Sequence, residues 1–311
     1  MGAGFGKPPP RRGVALGLWG ETTAAHAQAR LDEIVALGAT DVAVVVGWRQ
    51  TDVHADAVTR GPVTAADDVL VAALDHAAAR GLRTTVFPIL VLDRTGPGLW
   101  RGTLAPRDVG VWWTSYEKFI AAYAAIAAAH GAAALVIGSE LGSTEGWRDR
   151  WYHLISRVEK VFAGDLIYSA NWDHYQHVSF AARLDALGVT GYFELTRDHD
   201  ASVAALTAAW AKPRAALLAA AKKHGLPLWL TEVGYPSVDG GAATPWDYTR
   251  DAKVDVEEQR RAFEALARAW SDQPLGGLFV WEWSGDGGSG DSGYTPRGKP
   301  AECELRAWFT R

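Results

Sequence analysis

The sequence contains one cysteine, Cys303, in 311 residues. A single thiol cannot form an internal disulfide and is too few for a thiolate metal site, so both are excluded and the redox compartment is left open. Histidine offers no metal motif either. None of the nine histidines forms an HExxH motif, and His174 and His177 have no carboxylate beside them in a pattern typical of a metal site. We therefore expect no bound metal.

The sequence also lacks an excess of basic residues. Its 31 lysines and arginines are outnumbered by 36 aspartates and glutamates, the net charge is −5, and no Lys/Arg-rich block occurs. Proteins that bind nucleic acid use such residues to neutralise phosphates, so nucleic acid is not an expected partner. The hydrophobic share of 48% and the charged share of 22% are near globular averages, which excludes a disordered or fibrous chain.

No segment has the features of a signal peptide or of an uninterrupted membrane span. Residues 1–10 are rich in glycine and proline without an apolar centre. We predict that residues 1–12 are disordered or derived from cloning, and native export is left open. Residues 119–138 approach membrane-spanning length, but His130 and Gly131 interrupt them and alanine dominates. We predict here a buried helix that runs into a buried strand, and no membrane-spanning segment.

Short apolar segments alternate about eight times with longer alanine-rich segments of helical periodicity, a pattern typical of a parallel (β/α)8 barrel. The predicted strands are residues 14–19, 41–48, 82–90, 133–140, 165–172, 188–193, 226–233 and 276–283. The clearest predicted helices are residues 23–37, 65–80, 111–130, 147–162, 202–224 and 254–270. Several of these helices end at a glycine, the left-handed C-cap expected between a helix and the next strand. We predict an α/β fold, a single-domain TIM barrel over residues 13–311.

Two glutamates end apolar predicted strands. Glu140 closes the fourth strand and Glu232 the seventh, so in a parallel barrel both would point into one mouth. A carboxylate directly after a buried segment is costly unless it is hydrogen-bonded or functional. Glycosidic cleavage needs two such groups, one protonated to assist the leaving oxygen and one ionised to attack the anomeric carbon. Either glutamate alone could be paired with an arginine or cap a helix, but the pair favours hydrolysis.

Tryptophan is frequent, with 15 copies, and its flat apolar face and N–H donor suit sugar rings. Trp19 and Trp48 end predicted strands, and we predict that they are sugar platforms, with core packing as the alternative. Arg94 and Arg101 lie in the third βα loop, where an arginine could bind substrate hydroxyls or orient a carboxylate; at least one should be solvated. Glu194, near the tip of the sixth strand, could bind sugar hydroxyls or compete for the role of acid.

The end of the eighth predicted strand carries three further features. Strand alternation places Trp281 and Trp283 on one side and Glu282 on the other, and we predict that Glu282 forms a buried ion pair. Residues 285–293 contain aspartates flanked by glycines. Their spacing fits no EF-hand, so we predict a flexible lid and leave ion binding as the alternative.

Longer segments resemble a known family. The segments are IGSEL (137–141), residues 147–175, TEVGYPS (231–237), FVWEW (279–283) and GYTPRGKPAE (293–302). Together they resemble the β-mannanase family GH113 of the retaining clan GH-A, and the similarity spans nearly the whole predicted barrel. The resemblance implies that Glu140 is the general acid/base, that Glu232 is the nucleophile, and that Tyr192 is a donor that keeps Glu232 ionised.

The resemblance also implies the walls of the cleft. Trp281 would form the floor at the cleaved sugar, and Asn171 and Trp172 would line the cleft. Ser139 departs from the pattern, because many clan members carry asparagine directly before the acid/base. Serine is shorter, so contact with the sugar 2-hydroxyl could come through water or from another residue, and the identity of the sugar is less certain.

We therefore predict a monomeric endo-acting β-glycosidase that works with retention. By resemblance its first substrate is β-1,4-mannan or a related β-glycan, and the chemistry needs no metal or organic cofactor. The alternatives are a barrel that binds polysaccharide without cleaving it, and a transglycosylase or exo-glycosidase acting on another β-glycan. No nucleophile elbow, P-loop or dinucleotide motif follows a predicted strand, which removes other common enzyme classes.

Overall fold

The computed structural model describes residues 5–7 and 9–311. In this part of the chain eight parallel strands form a closed barrel in sequence order, with the last strand pairing with the first. The strands are β1 (Arg11–Leu18), β2 (Asp41–Gln50), β3 (Arg83–Leu92), β4 (Ala134–Ser139), β5 (Asp165–Ala170), β6 (Ala186–Thr190), β7 (Leu228–Val233) and β8 (Leu275–Val280). The predicted TIM barrel is confirmed.

Helices follow the strands in alternation. They are α1 (Ala24–Ala36), α2 (Asp67–Ala79), α3 (Val109–Ala129), α4 (Arg148–Val158), α5 (Val203–Ala209), α6 (Ala211–His224), α7 (Val256–Trp270) and α8 (Pro300–Phe309). The segment predicted as one helix over 202–224 is divided at Trp210 into α5 and α6. Pro213 explains the break, because proline has no N–H to donate to the carbonyl four residues earlier.

The helix-to-strand turns follow the predicted chemistry. Gly225 ends α6 with φ +67°, and Gly131 has φ +65° between α3 and β4. Glycine adopts this left-handed conformation without a steric penalty. The long apolar segment at 119–138 is thus the end of α3, a tight turn, and β4. Across the residues that the structure describes, no helix is long and apolar enough to span a membrane.

The barrel begins earlier than predicted. Strand β1 starts at Arg11, Phe5 is buried, and the Lys7 backbone N–H donates to an Asp272 carboxylate oxygen at 2.9 Å. The predicted boundary at residue 13 is therefore wrong for residues 5–7 and 9–12, because an apolar side chain and a backbone hydrogen bond attach them. Residues 1–4 and 8 of the predicted terminal segment lie outside the described residues.

Contacts between Cα atoms divide the chain into two compact units. The first consists of Met1–Leu16, Asp32–Val42 and Thr190–Arg311. In its core the buried Trp210 ring meets the edges of Phe193 and Trp270, with centroid distances of 5.6 and 5.8 Å. Such pairs add roughly 0.5–1.5 kcal/mol each beyond the area that they bury.

The second unit consists of Gly17–Leu31 and Ala43–Val189. Its core contains a chain of rings in which Trp112 stacks on Tyr116 at 5.0 Å and Trp151 stacks on Phe180 at 4.5 Å. Eight of the 15 tryptophans, all of which lie in the described part of the chain, are buried and serve packing.

Candidate active site

Glu140 follows β4 directly, and its backbone is strained. Its φ is +55°, a left-handed conformation that costs a residue with a Cβ about 1–3 kcal/mol. The Glu140 N–H donates to the Ser169 carbonyl oxygen at 2.8 Å, and Ser139 pairs in register with Ser169. Both Ser139 and Glu140 are buried. Such strain persists only where the surroundings fix it, and it occurs most often at active sites.

An arginine from the loop after β3 contacts the Glu140 carboxylate. Arg101, in the 3₁₀ turn Arg101–Thr103, donates from Nη2 to Glu140 Oε2 at 2.6 Å. Arg94 of the same loop is exposed and pairs with Asp52 at 2.6 Å. Of the two arginines considered from the sequence, Arg101 therefore orients a carboxylate and Arg94 is the solvated one. The structure does not bring Arg94 to Glu140.

Two further predicted residues follow β5. Asn171 and Trp172 are half-buried. The Asn171 side-chain amide donates to Asp173 at 2.8 Å and accepts from the Trp172 backbone N–H at 3.1 Å. These contacts fix the turn after β5 and leave part of the Trp172 surface exposed.

Glu232 lies inside β7 and is buried, with 2% of its surface exposed. The Tyr192 hydroxyl, two residues after the end of β6, donates to Glu232 Oε2 at 3.0 Å. The Gly191 N–H donates to the Glu232 carbonyl oxygen at 2.5 Å. A hydrogen bond donated to a carboxylate favours its ionised form, the form that a nucleophile needs. The side-chain contact is the one that the family resemblance implied for Tyr192.

Glu194 has a different environment from Glu232. It is exposed and accepts a hydrogen bond from the indole N–H of Trp246 at 3.1 Å. Trp246 belongs to the loop between β7 and α7 and is itself 46% exposed. An exposed side chain bonded to the half-exposed indole of a loop does not favour Glu194 as the acid.

The chain leaves the barrel sheet at Val280, so strand alternation does not extend over the next three residues. The Trp281 N–H donates to the Val233 carbonyl oxygen at 2.8 Å, and the Trp281 side chain is half-buried. Trp283 is buried, and its indole N–H donates to Glu33 in α1 at 2.7 Å. Trp281 is therefore the tryptophan of this pair whose surface is partly free for a ligand.

Glu282 does not form the predicted ion pair. Its Oε2 is buried and, among the residues described, has no hydrogen-bond partner. Burial raises the pKa of Glu282 from 4.5 to about 7, and a hydrogen bond with Ser284 opposes this rise. The prediction failed because it relied on strand alternation, which ends at Val280.

Trp19 and Trp48, both predicted as platforms, have different surroundings. The Trp19 ring lies against two glycines: an added Cβ would come within 2.3 Å of the ring at Gly17 and within 2.9 Å at Gly47. Half-exposed, Trp19 lines a cavity of about 620 Å³ together with Glu21, Thr23, His26 and Pro62. The Trp19 ring is therefore partly accessible, and its use as a sugar platform stays a prediction.

Trp48 instead packs toward helix α3. Its ring lies 5.2 Å from Phe119 and 6.4 Å from Tyr123, centroid to centroid, and the Arg60 guanidinium covers it at 5.4 Å. The prediction of a sugar platform at Trp48 is therefore wrong. The physical reason is the alternation of side chains along β2, because Gly47 faces Trp19 and its neighbour Trp48 must point to the opposite side.

Hydrogen bonds hold the loop after β8 in place. The buried Lys299 ammonium donates to Ser237 Oγ at 2.7 Å, to Asp291 Oδ1 at 2.9 Å and to the Gly293 carbonyl oxygen at 3.0 Å. These bonds contradict the predicted flexible lid at residues 285–293. Within the described part of the chain, no group of three or more His, Cys, Asp or Glu side chains could hold a metal ion.

Comparison with known proteins agrees with this architecture. The chain matches the model of Glycoside Hydrolase Family 113 over residues 15–298. It is similar to the GH113 β-mannanase from Alicyclobacillus acidocaldarius, solved in complex with ManMIm, with 26% identity, a TM-score of 0.86, and 99% and 97% of the two chains covered. It is also similar to a structure described as GH113 β-1,4-mannanase, with 22% identity, a TM-score of 0.85, and 97% and 99% covered. No curated protein matches the sequence. The chain belongs to glycoside hydrolase family 113 and is a glycoside hydrolase.

Proposed function

We propose that this glycoside hydrolase is a retaining endo-β-1,4-mannanase with Glu232 as nucleophile and Glu140 as general acid/base. The observation that carries the proposal is the pair of buried glutamates at the carboxyl ends of β4 and β7. All strands of a parallel barrel end at the same rim, where the barrels of enzymes carry their active sites. The GH113 relatives described as β-mannanases support the choice of substrate.

Two displacements account for retention. In the first, the Glu232 carboxylate attacks the anomeric carbon, the glycosidic C–O bond breaks, and the Glu140 carboxyl proton passes to the leaving oxygen. In the second, the Glu140 carboxylate takes a proton from water, and the water oxygen displaces Glu232 from the anomeric carbon. The product regains the β-configuration, and both glutamates return to their starting protonation states.

The surroundings of each glutamate fit the role that the proposed mechanism gives it. Tyr192 donates to Glu232, which favours the ionised nucleophile. Arg101 donates to Glu140 Oε2 and so orients the carboxyl group that exchanges protons with the leaving oxygen and then with water.

Aromatic and polar residues complete the proposed cleft. Trp281 would stack on the sugar at the cleavage point and Trp19 on a further sugar, each worth about 1–2 kcal/mol by analogy with aromatic pairs. Asn171, Trp172 and Ser139 would line the same cleft. We assign Arg94 and Glu194 only to its periphery, because both side chains are exposed.

Hydrolysis of defined oligosaccharides tests the proposal. We expect cleavage of mannan oligosaccharides in preference to those of glucan, xylan and galactan, with internal bonds cut first. Proton NMR of the first product should show the β-anomer. Release of monosaccharides from one end would favour an exo-glycosidase, transfer to added sugars a transglycosylase, and binding of polymer without cleavage a binding barrel. An α-anomer as first product would overturn the retaining mechanism.

A further inference from the structure

A buried carboxylate outside the proposed mechanism lies close to the acid/base. Glu145 follows β4 by six residues, and only 1% of its surface is exposed. Its Oε1 accepts a hydrogen bond from the Tyr168 hydroxyl at 2.9 Å, and its Oε2 lies 2.5 Å from Nδ1 of His174. Burial raises the pKa of Glu145, and the hydrogen bonds with His174 and Tyr168 oppose that rise. Burying a carboxyl group costs free energy, so the hydrogen-bond partners of Glu145 must hold it in this position.

Tyr168 connects this carboxyl to the backbone of the acid/base. The Leu141 backbone N–H donates to the Tyr168 oxygen at 2.9 Å. Because an N–H can only donate, the single hydroxyl proton of Tyr168 is left for Glu145, and the direction of the whole chain is fixed. It runs from the Leu141 N–H through the Tyr168 hydroxyl to the Glu145 carboxyl. Hydrogen bonds in such a chain polarise and strengthen one another.

A hydrogen bond to the Leu141 N–H also holds Glu140, because this N–H and the Glu140 carbonyl group belong to the same peptide plane. The ψ angle of Glu140 sets the orientation of that plane. The other side of Glu140 is held by its own N–H on the Ser169 carbonyl oxygen, at 2.8 Å. Glu140 adopts a left-handed φ of +55°, a conformation that persists only where its surroundings hold it, and these two bonds are among the contacts that do so. A rotation of this plane would move the carboxyl that must protonate the leaving oxygen.

The ring of Tyr168 is itself fixed. Trp151 and Phe180 meet it edge-on at 5.3 and 5.1 Å, centroid to centroid, and the ring is fully enclosed. Glu145 is held at its backbone too, because its carbonyl oxygen accepts from the Ser179 hydroxyl at 2.5 Å. Neither partner can move without repacking the interior of this unit.

We propose that Tyr168 and Glu145 are positioning residues that hold the Glu140–Leu141 peptide so that the Glu140 carboxyl can transfer its proton. The inference rests on the proposed function of Glu140 as acid/base. Neither side chain needs to touch substrate. The effect should therefore appear in the step that uses the acid, and it should be absent where no acid is needed.

The test compares Tyr168→Phe and Glu145→Gln with a matched control, Tyr116→Phe. The Tyr116 hydroxyl is also buried and also bonds to β4, but to the Ile137 carbonyl oxygen at 2.8 Å, away from the tip. Substrates are two aryl β-mannosides or manno-oligosaccharides, one with a phenol and one with a 2,4-dinitrophenol leaving group. In both test variants we expect kcat/KM, which reports the first displacement, to fall about ten- to a hundredfold on the phenyl substrate and less than about threefold on the dinitrophenyl substrate. For the control variant Tyr116→Phe, kcat/KM should fall by the same factor on both substrates or should not fall on either.

Equal losses on both substrates in the test variants would overturn the proposal, because they would indicate general loosening. A second measurement does not depend on activity: amide hydrogen exchange over residues 138–147, followed by mass spectrometry. We expect faster exchange at Leu141 in Tyr168→Phe than in Tyr116→Phe, and equal exchange would also overturn the proposal. If the wild-type protein cleaves neither an aryl glycoside nor a polymer, the proposed function fails and this inference with it. If the wild-type protein turns over normally and the variants show the same dependence on the leaving group as the wild-type protein, only this inference is overturned.

Discussion

The ends of β4 and β7 each present a buried glutamate, but the two are held in different ways. Glu232 lies within β7 and receives a neutral hydroxyl donor, Tyr192. Glu140 lies just beyond its strand in a strained conformation and receives a charged donor, Arg101, on a loop. A nucleophile needs one protonation state and one position, whereas an acid/base must change its proton twice in a cycle. In the proposed mechanism, the residue whose role stays fixed therefore lies in the sheet, and the residue that exchanges protons lies where the sheet meets a loop.

The largest effect should come from removing each carboxylate. Glu232→Ala should lose turnover on the order of 10⁴-fold or more, and azide should restore part of it as a glycosyl azide of inverted configuration. Glu140→Ala should spare kcat/KM on dinitrophenyl glycosides, whose departure needs no acid, and azide, which attacks without a base, should speed turnover and give a product of retained configuration. The product anomers, read by NMR, check the assignment. The exposed Glu194→Ala variant serves as the control, and near-native rates on polymer in either test variant would contradict the proposed roles.

A smaller effect is expected from the two tryptophans after β8. Trp281→Ala should lower kcat/KM about five- to thirtyfold, because a stacked sugar is worth about 1–2 kcal/mol, and should leave the melting temperature little changed. Trp283→Ala should do the reverse, since Trp283 is buried and bonded to Glu33. Kinetics measured beside thermal unfolding separate the two. A large loss of stability in Trp281→Ala with unchanged kinetics would make Trp281 a packing residue.

A third and still smaller effect on turnover is expected from the ion pair between Arg101 and Glu140 at the end of β4. Arg101→Gln should lower polymer turnover by up to about tenfold, because Glu140 loses the donor that orients its carboxylate. Arg94→Gln is the matched control from the same loop: its exposed ion pair with Asp52 should contribute little. Steady-state rates on one oligosaccharide suffice as the measurement. Equal rates for the two variants would remove Arg101 from the site.

The smallest effect concerns stability and pH. Glu282 has a pKa of about 7 in the folded protein against 4.5 ordinarily, so between these pH values the folded state keeps a proton that the unfolded state has released. The contribution of Glu282 to the free energy of unfolding is therefore fully present below about pH 4.5 and is lost as the pH rises toward 7. Above pH 7 it no longer changes. The loss is at most about 3–4 kcal/mol.

Glu282→Gln does not titrate and should lack this decline. Thermal unfolding at pH 5 and pH 8 checks it: at pH 8 the variant should melt a few degrees above the wild-type protein, and at pH 5 near it. Parallel behaviour of the two proteins across this range would show that the Glu282 carboxyl is solvated rather than buried.

Local sequence patterns accounted for the barrel and for the positions of both glutamates. Strand and helix periodicities depend on neighbouring residues, and the glycine turns, such as the one at Gly131, are visible wherever they occur. The same local reasoning failed where the chain leaves a regular element. It extended the last strand three residues past Val280, joined α5 to α6 across Trp210, and assigned Glu282 an ion pair.

The sequence by itself determined the fold class and placed Glu140 and Glu232 at strand ends, because both follow from patterns within single segments. The family resemblance implied the contact of Tyr192 with Glu232, 40 residues apart. Only the tertiary structure decided that Arg101, and not Arg94, reaches Glu140 from a loop 39 residues before it. Contacts over such separations depend on the paths of loops and on the packing of helices against strands. No pattern of neighbouring residues encodes them, and for that reason the positioning chain through Tyr168 could not be seen in the sequence.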